Sequence, residues 1–159
     1  MIAHKHGKAA SIGDAQAHDE YNQILQKMYR TLGRRVTTGQ QLHKVGKRIL
    51  GKSFIGVYPQ DTVPKTLKNG DMMIINTDVA KGKGQHWIAA YVMNNTVHIY
   101  DSFGRPSPKV LPMFLKKLKH RYADSDGDAE QPKKSEDCGA RSMAWLLYAK
   151  QDLQKAMRI

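Results

Sequence analysis

The sequence predicts an α+β fold, because helical and strand patterns occupy separate stretches of the chain. Helical patterns come first, apolar strand-like runs follow in the middle, and helical patterns return at the end. A chain of 159 residues with 40% hydrophobic residues is long enough for one domain with a substantial core. The first residues are small and polar and have no periodicity. We therefore expect a flexible tail at 1–16 and a single domain at 17–159.

Two helices are predicted in the first part of the chain. Apolar residues recur at helical spacing over 19–32, and Gly33 follows as a stop. A capping box beginning at Thr38 predicts the start of the second helix, although Gly46 inside it weakens the prediction. The segment 53–61 is typical of a short strand or an extended loop.

The remaining elements follow from apolar runs and their spacing. The run MMIINT at 72–77 is typical of a buried strand, and two further strands are predicted at 86–93 and 96–103. A basic amphipathic helix is predicted at 111–122. After a polar, acidic loop, a last helix is predicted at 138–156.

The strands at 86–93 and 96–103 form a predicted hairpin. Asn94 and Asn95 suit a two-residue turn, since Asn tolerates the left-handed backbone that such turns require. Side chains alternate between the faces of a strand, so His86 and Asp101 would project from the same face. As diagonal neighbours they would have Cβ atoms about 7 Å apart or somewhat less, within reach of a hydrogen bond between the carboxylate and the imidazole. A three-residue turn would separate the two side chains, whereas a four-residue loop would keep them aligned. His98 falls on the opposite face, and we assign it no role.

Cys138 is the single cysteine of the chain. One cysteine excludes an intramolecular disulfide and a multi-cysteine zinc site. It stands where the polar loop becomes an apolar helix, so its thiolate would be stabilised by the N–H groups and dipole of the helix N-terminus. The adjacent Gly139 would allow the backbone of a substrate to approach closely.

Together these residues form a candidate site for nucleophilic catalysis. A cysteine nucleophile needs a base and donors for the oxyanion that forms at the attacked carbonyl. His86 is the candidate base, and Asp101 would fix its orientation and tautomer. The backbone N–H of Cys138 and the side-chain amide of Gln131 are the candidate donors.

The motifs GQHWIAAYV and VHIYDSFG, followed by a Gln that six residues separate from Cys-Gly, resemble the adenovirus-type (adenain-like) cysteine proteases. This family of viral maturation proteases is related to the ubiquitin-like-protein-specific proteases. The resemblance covers roughly residues 70–150, and the segment upstream is similar to the virophage and large-DNA-transposon branch. The matching positions are His86-Trp87, Asp101, Gln131 and Cys138-Gly139.

The resemblance implies a papain-like core, with the cysteine at the N-terminus of a central helix that packs on a small mixed β-sheet. It implies an endopeptidase that cleaves capsid and other virion precursors through a thioester, in the virion and at the assembly site of the infected cell. A narrow cleft near Trp87 would explain the preference of family members for small residues, often Gly, at the cut. The adenovirus enzyme has a peptide cofactor that a disulfide can hold, and this chain has no second cysteine, so a covalent peptide cofactor is excluded.

The charge of the chain favours a polyanionic partner. The net charge is +12, with 26 Lys and Arg against 14 Asp and Glu, so DNA is a candidate partner and activator. The favoured basic patch consists of Lys116, Lys117, Lys119 and Arg121. We expect no metal, no membrane contact and a monomer.

Two other functions remain open on the sequence alone. One keeps the chemistry and changes the substrate, so that the enzyme removes ubiquitin-like modifiers from conjugates. The other is a non-enzymatic basic virion protein, which would bind DNA tightly in a salt-dependent manner and would have no unusual thiol reactivity.

Overall fold

The computed structural model describes residues 12–82, 86–127, 129–132 and 134–159. Its first helix begins at Ile12, so residues 12–16 of the predicted tail are helical and that boundary was wrong. Residues 1–11 of the same prediction lie outside the described residues.

The described chain forms six α-helices and five strands, and it confirms the predicted α+β class. The helices are α1 (Ile12–Leu32), α2 (Gly39–Leu50), α3 (Ser107–Val110), α4 (Pro112–Lys117), α5 (Cys138–Gln151) and α6 (Leu153–Ala156). The strands are β1 (Phe54–Pro59), β2 (Met72–Asn76), β3 (Trp87–Met93), β4 (Thr96–Tyr100) and β5 (Arg121–Asp124).

The strands form one mixed sheet in the order β1-β2-β3-β4-β5. The inner neighbours β2–β3 and β3–β4 are antiparallel, and the outer neighbours β1–β2 and β4–β5 are parallel. Helices α1, α2, α5 and α6 contribute to the hydrophobic core on one face, and α3 and α4 contribute to a second core on the other. Every residue of β2 is buried, which is why its sequence is a continuous apolar run rather than an alternating one.

The start of α2 confirms the predicted capping box. The Thr38 side chain accepts a hydrogen bond from the backbone N–H of Gln41, and the Gln41 side chain accepts one from the backbone N–H of Thr38. Gly46, which weakened the prediction, has a packing reason to be glycine. A Cβ there would lie 2.4 Å from the ring of Phe54, which is fully buried.

The hairpin has the predicted turn and register. Asn94 and Asn95 have φ angles of 55° and 56°, the left-handed values that a two-residue turn requires. Met93 faces Thr96 and Ala90 faces Ile99, as predicted. The strands stop at Trp87 and Tyr100, so His86 and Asp101 stand just beyond the paired segment.

The predicted helix at 111–122 was wrong. Leu111 leaves the helical conformation before Pro112, since the ring of a proline disfavours a helical residue in front of it. The chain therefore forms the two short helices α3 and α4. It then becomes extended at Leu118 and pairs with β4 as β5, an edge strand in a stretch where the sequence pattern predicts helix and loop.

The last predicted helix, at 138–156, is divided. Asp152 has an extended backbone, and its side chain caps α6 by accepting from the backbone N–H of Lys155. Met143 and Ala144 are fully buried, as expected, and Leu147 and Leu153 pack partly buried against the same core.

Replacement of Gly46 by Ala tests the close packing of α2 against β1. Overpacking of a core costs about 1–3 kcal/mol, which we expect to outweigh the gain of up to about 1 kcal/mol that Ala brings to a helix. Urea denaturation should therefore show a lower free energy of unfolding for Gly46→Ala. The control is Lys47→Ala at the exposed next position, and greater stability of Gly46→Ala than of this control would contradict the account.

Candidate active site

Three segments that are distant in sequence meet at one end of the sheet. His86 immediately precedes β3, Asp101 immediately follows β4, and Cys138 is the first residue of α5. Because β3 and β4 are paired antiparallel neighbours, the start of one lies beside the end of the other. Cys138 is half-buried, whereas His86 and Asp101 are almost fully buried.

Asp101 fixes the orientation of the His86 ring. The imidazole Nε2 donates to the Asp101 Oδ1 at 2.6 Å, and the ring of Phe103 stacks on it with 4.6 Å between the centroids. Burial alone would lower the pKa of His86, but the hydrogen bonds and charges of Asp101 and Cys138 outweigh burial and raise the pKa above its usual 6.5. These contacts therefore stabilise the protonated imidazole relative to that of an isolated histidine.

His86 interacts with Cys138 as well as with Asp101. A hydrogen-bonding interaction with the Cys138 side chain is one of the causes of its raised pKa. Since Nε2 is bonded to Asp101, Nδ1 is the ring nitrogen left for the sulfur. The predicted convergence of thiol, imidazole and carboxylate is thus present in the geometry.

A hydrogen bond from a buried side chain sets the position of α5 along β3. Ser142, one helical turn after Cys138, is fully buried, and its hydroxyl donates to the backbone carbonyl of Trp87 at 3.1 Å. Trp87 directly follows His86. This bond therefore places the N-terminal turn of α5 next to the base.

Asp101 holds a second cation in addition to the imidazole. Its Oδ2 accepts from the Arg105 Nε at 2.9 Å, and its Oδ1 also accepts from the backbone N–H of Phe103 at 2.9 Å. Burial would raise the pKa of Asp101, but His86, the Phe103 amide and Arg105 together lower it below its usual 3.8. The carboxylate is therefore held in its ionised form. Arg105 is a site residue that the sequence did not predict, although its position four residues after Asp101 in the DSFGR segment was a usable indication.

A polar cluster surrounds the N-terminus of α5. The Asp137 Oδ2 accepts from the Tyr29 hydroxyl and from the Arg141 Nε, the latter at 3.0 Å, and its Oδ1 accepts from the Ser135 hydroxyl. Arg141 thus compensates the charge of the carboxylate that directly precedes Cys138. Nothing in the sequence pattern indicated that Tyr29, on α1, would reach this cluster.

Gln131 is a buried residue of the loop before α5, only 3% exposed. Its Oε1 accepts from the Ser102 hydroxyl, and its Nε2 donates to the backbone carbonyl of Ser135 at 2.7 Å. The side chain is thus held by the segment after Asp101 and by the segment before Cys138. The part of Gln131 in binding an oxyanion beside Cys138 stays a prediction.

A cleft of about 350 Å³ lies beside Trp87. Apart from Trp87, its walls come from the first turn of α2, from β1 and the end of β2, and from the loop that follows β2: Gly39, Gln40, His43, Val57, Tyr58, Pro59, Asn76, Val79, Ala80 and Gly82. The indole Nε1 of Trp87 donates to the backbone carbonyl of Thr37 at 3.1 Å. The predicted cleft near Trp87 is therefore present, and its use by a substrate stays a prediction.

Gly139 is glycine for a reason that the sequence did not reveal. A Cβ at this position would lie 1.9 Å from the Thr37 hydroxyl oxygen, so the space beside the Gly139 Cα is filled by this chain. Thr37 thereby contacts both Trp87 and the first turn of α5 and links the cleft to the cysteine. Contact between Gly139 and a substrate backbone stays a prediction.

The predicted basic patch does not lie on one helix. Lys116 and Lys117 end α4, Lys119 lies in the following loop and Arg121 begins β5. All four side chains are exposed. Their role in DNA binding stays a prediction. His98, to which no role was assigned, is partly buried and lies within hydrogen-bond distance of the Met93 carbonyl.

Among the described residues, no group of three or more His, Cys, Asp or Glu side chains could hold a metal ion. None of the helices in that part of the chain combines the length and the apolar character needed to cross a membrane.

Comparison with known proteins adds no family to these observations. The sequence matches no protein-family model and has no significant match among curated proteins. The functional interpretation therefore rests on the geometry of the site and on the motif resemblance alone.

Replacement of Asp101 by Asn tests the electrostatic coupling in the site. The amide keeps an oxygen that can accept from Nε2 but removes the charge that raises the pKa of His86, so this pKa should fall. The measurement is an NMR titration of the His86 ring, whose signals are assigned by their loss in His86→Gln. Asp19→Asn, at an exposed position of α1, is the control and should leave the titration unchanged. An unchanged or higher His86 pKa in Asp101→Asn would contradict the described network.

Proposed function

We propose that this chain is a cysteine endopeptidase in which Cys138 is the nucleophile, His86 the acid–base residue and Asp101 the residue that orients it. The observation that carries the proposal is the position of His86, which interacts with the sole cysteine on one side and with a buried, ionised carboxylate on the other. A buried imidazole between a thiol and a carboxylate is the arrangement that nucleophilic catalysis requires.

The first step is activation of the thiol. His86 takes the proton of Cys138 through Nδ1, either as a general base during attack or beforehand in a thiolate–imidazolium pair. The raised pKa of His86 supports the ion pair, because it means that the site favours the protonated ring. Asp101 stabilises that cation, and Arg105 keeps Asp101 ionised.

The thiolate then attacks the carbonyl carbon of the scissile peptide bond. A C–S bond forms, and the carbonyl oxygen becomes an oxyanion. The oxyanion accepts hydrogen bonds from the backbone N–H of Cys138 and from the side-chain amide of Gln131. Collapse of the intermediate breaks the C–N bond, and His86 gives its proton to the departing amine. Water, deprotonated by His86, hydrolyses the thioester and restores the thiol.

The substrate is an extended polypeptide, and the cleft beside Trp87, the residue that follows His86, is its binding site. The order His-Trp, Asp, Gln, Cys-Gly, together with a helix that carries the cysteine and packs on the sheet, supports a papain-like core of the adenovirus type. On that resemblance we extend the proposal to capsid and other virion precursors, processed in the virion or at the assembly site.

The decisive experiment is mass spectrometry of a protein mixture that contains virion precursors after incubation with the purified chain. The expected result is a set of new N-termini at a common motif, all absent with Cys138→Ala. Removal of the nucleophile should lower the rate by roughly 10⁴-fold or more, and Gln131→Ala should lower it by about 10²–10³-fold.

A further substrate and a control variant complete the experiment. Gly-Gly-terminated ubiquitin-like conjugates, offered beside the precursors, identify a deconjugating enzyme if they are the only proteins cleaved. Lys150→Ala, a substitution in the last turn of α5 at the end remote from Cys138, is the control and should keep wild-type turnover. Full turnover by Cys138→Ala would refute the proposal.

A further inference from the structure

Ser102 is a buried hydroxyl residue to which the proposed reaction gives no role. It directly follows Asp101, and none of its surface is exposed to solvent. Its hydroxyl donates to the Gln131 Oε1, the oxygen of the carboxamide that the proposed reaction uses as an oxyanion donor.

The backbone of Ser102 also holds the segment that carries Gln131. Its carbonyl accepts from the backbone N–H of Glu130 at 3.0 Å and from that of Gln131 at 2.9 Å. The main chain and the side chain of Ser102 therefore both bind Gln131. Because Ser102 directly follows Asp101, these bonds fix the position of Gln131 relative to the carboxylate that orients His86.

The contacts of the carboxamide determine which end faces which neighbour. With Oε1 on the Ser102 hydroxyl, Nε2 lies on the Ser135 carbonyl at 2.7 Å. A flipped amide would bring Oε1 against that carbonyl, and two acceptors repel each other. Nε2 carries two hydrogens, of which the Ser135 carbonyl takes one, and the proposed reaction assigns the other to the oxyanion.

An oxyanion donor is effective only when it is already oriented before charge develops. A carboxamide held at one end alone would rotate about its last side-chain torsion, for which the preference is broad. The hydroxyl of Ser102 removes this freedom at the Oε1 end, and Ser135 removes it at the Nε2 end.

We propose that Ser102 is a positioning residue that holds the Gln131 carboxamide in the orientation required by the oxyanion. This inference rests on the proposed function. It adds that one dipeptide after β4 sets both halves of the chemistry, since Asp101 orients the base and Ser102 orients the oxyanion donor.

The test is a double-mutant cycle on the cleavage reaction. Ser102→Ala should lower kcat about tenfold, less than the loss of a complete donor, with KM within about twofold because the cleft is untouched. In a Gln131→Ala background, Ser102→Ala should cause no further loss of kcat, since the group that it orients is gone.

A matched control comes from the same stretch of chain. Ser107 is 1% exposed, and its hydroxyl donates to the Asp124 Oδ1 rather than to Gln131. Ser107→Ala removes an equally buried hydroxyl that does not bind Gln131. It should therefore leave kcat unchanged. Should Ser102→Ala not fold, Ser102→Gly removes the same hydroxyl and leaves room for a water molecule, and the same coupling to Gln131 is expected.

The outcomes separate this inference from the proposed function. If the wild type cleaves through Cys138 but Ser102→Ala matches it, or adds its full effect to Gln131→Ala, the positioning role is refuted and the protease remains. If the wild type cleaves nothing, both are refuted.

The ¹⁵N–¹H signals of the Gln131 side-chain amide provide a readout that does not depend on turnover. They should shift or broaden in Ser102→Ala and not in Ser107→Ala, and unchanged signals would refute the contact.

Discussion

The packing of the first turn of α5 against the start of β3 is the constraint on which the site depends. The fully buried Ser142 hydroxyl donates to the Trp87 carbonyl, and leaving a buried polar group unsatisfied would cost about 1–3 kcal/mol. The helix therefore cannot slide along the strand without losing this bond. Because Cys138 is one turn before Ser142, and His86 is one residue before Trp87, a bond made for stability also brings the sulfur to the imidazole.

The sequence allowed most of the fold to be predicted where local chemistry determines local structure. The Thr38 capping box and the Asn94–Asn95 turn are satisfied by neighbours within a few residues, so both could be recognised directly. The structure of the region after Pro106 could not be predicted, because its helical pattern competes with prolines and with pairing to β4. Strand β5 exists because β4 offers it a parallel partner, and such a distant contact leaves no periodic pattern in four residues of which three are exposed.

The central residues of the site could be predicted for a similar reason, whereas its supporting residues could not. The hairpin turn fixes the side-chain alternation, and the alternation places His86 and Asp101 on one face. Thr37 and Tyr29 reach the cysteine end of α5 from the N-terminal part of the chain, through tertiary packing alone. Arg105 and Ser102 were close to Asp101 in sequence, but their roles depend on how the chain turns after β4.

The measurement that tests the central claim most directly is the rate of alkylation of Cys138 as a function of pH. Iodoacetamide labels the thiolate, and a chain with one cysteine gives an unambiguous mass shift. The account predicts faster labelling near neutral pH in the wild type than in His86→Gln, because the imidazole takes the proton of the thiol and iodoacetamide reacts with the thiolate. Identical profiles for the two proteins would mean that the imidazole does not act on the sulfur, and the account would fail.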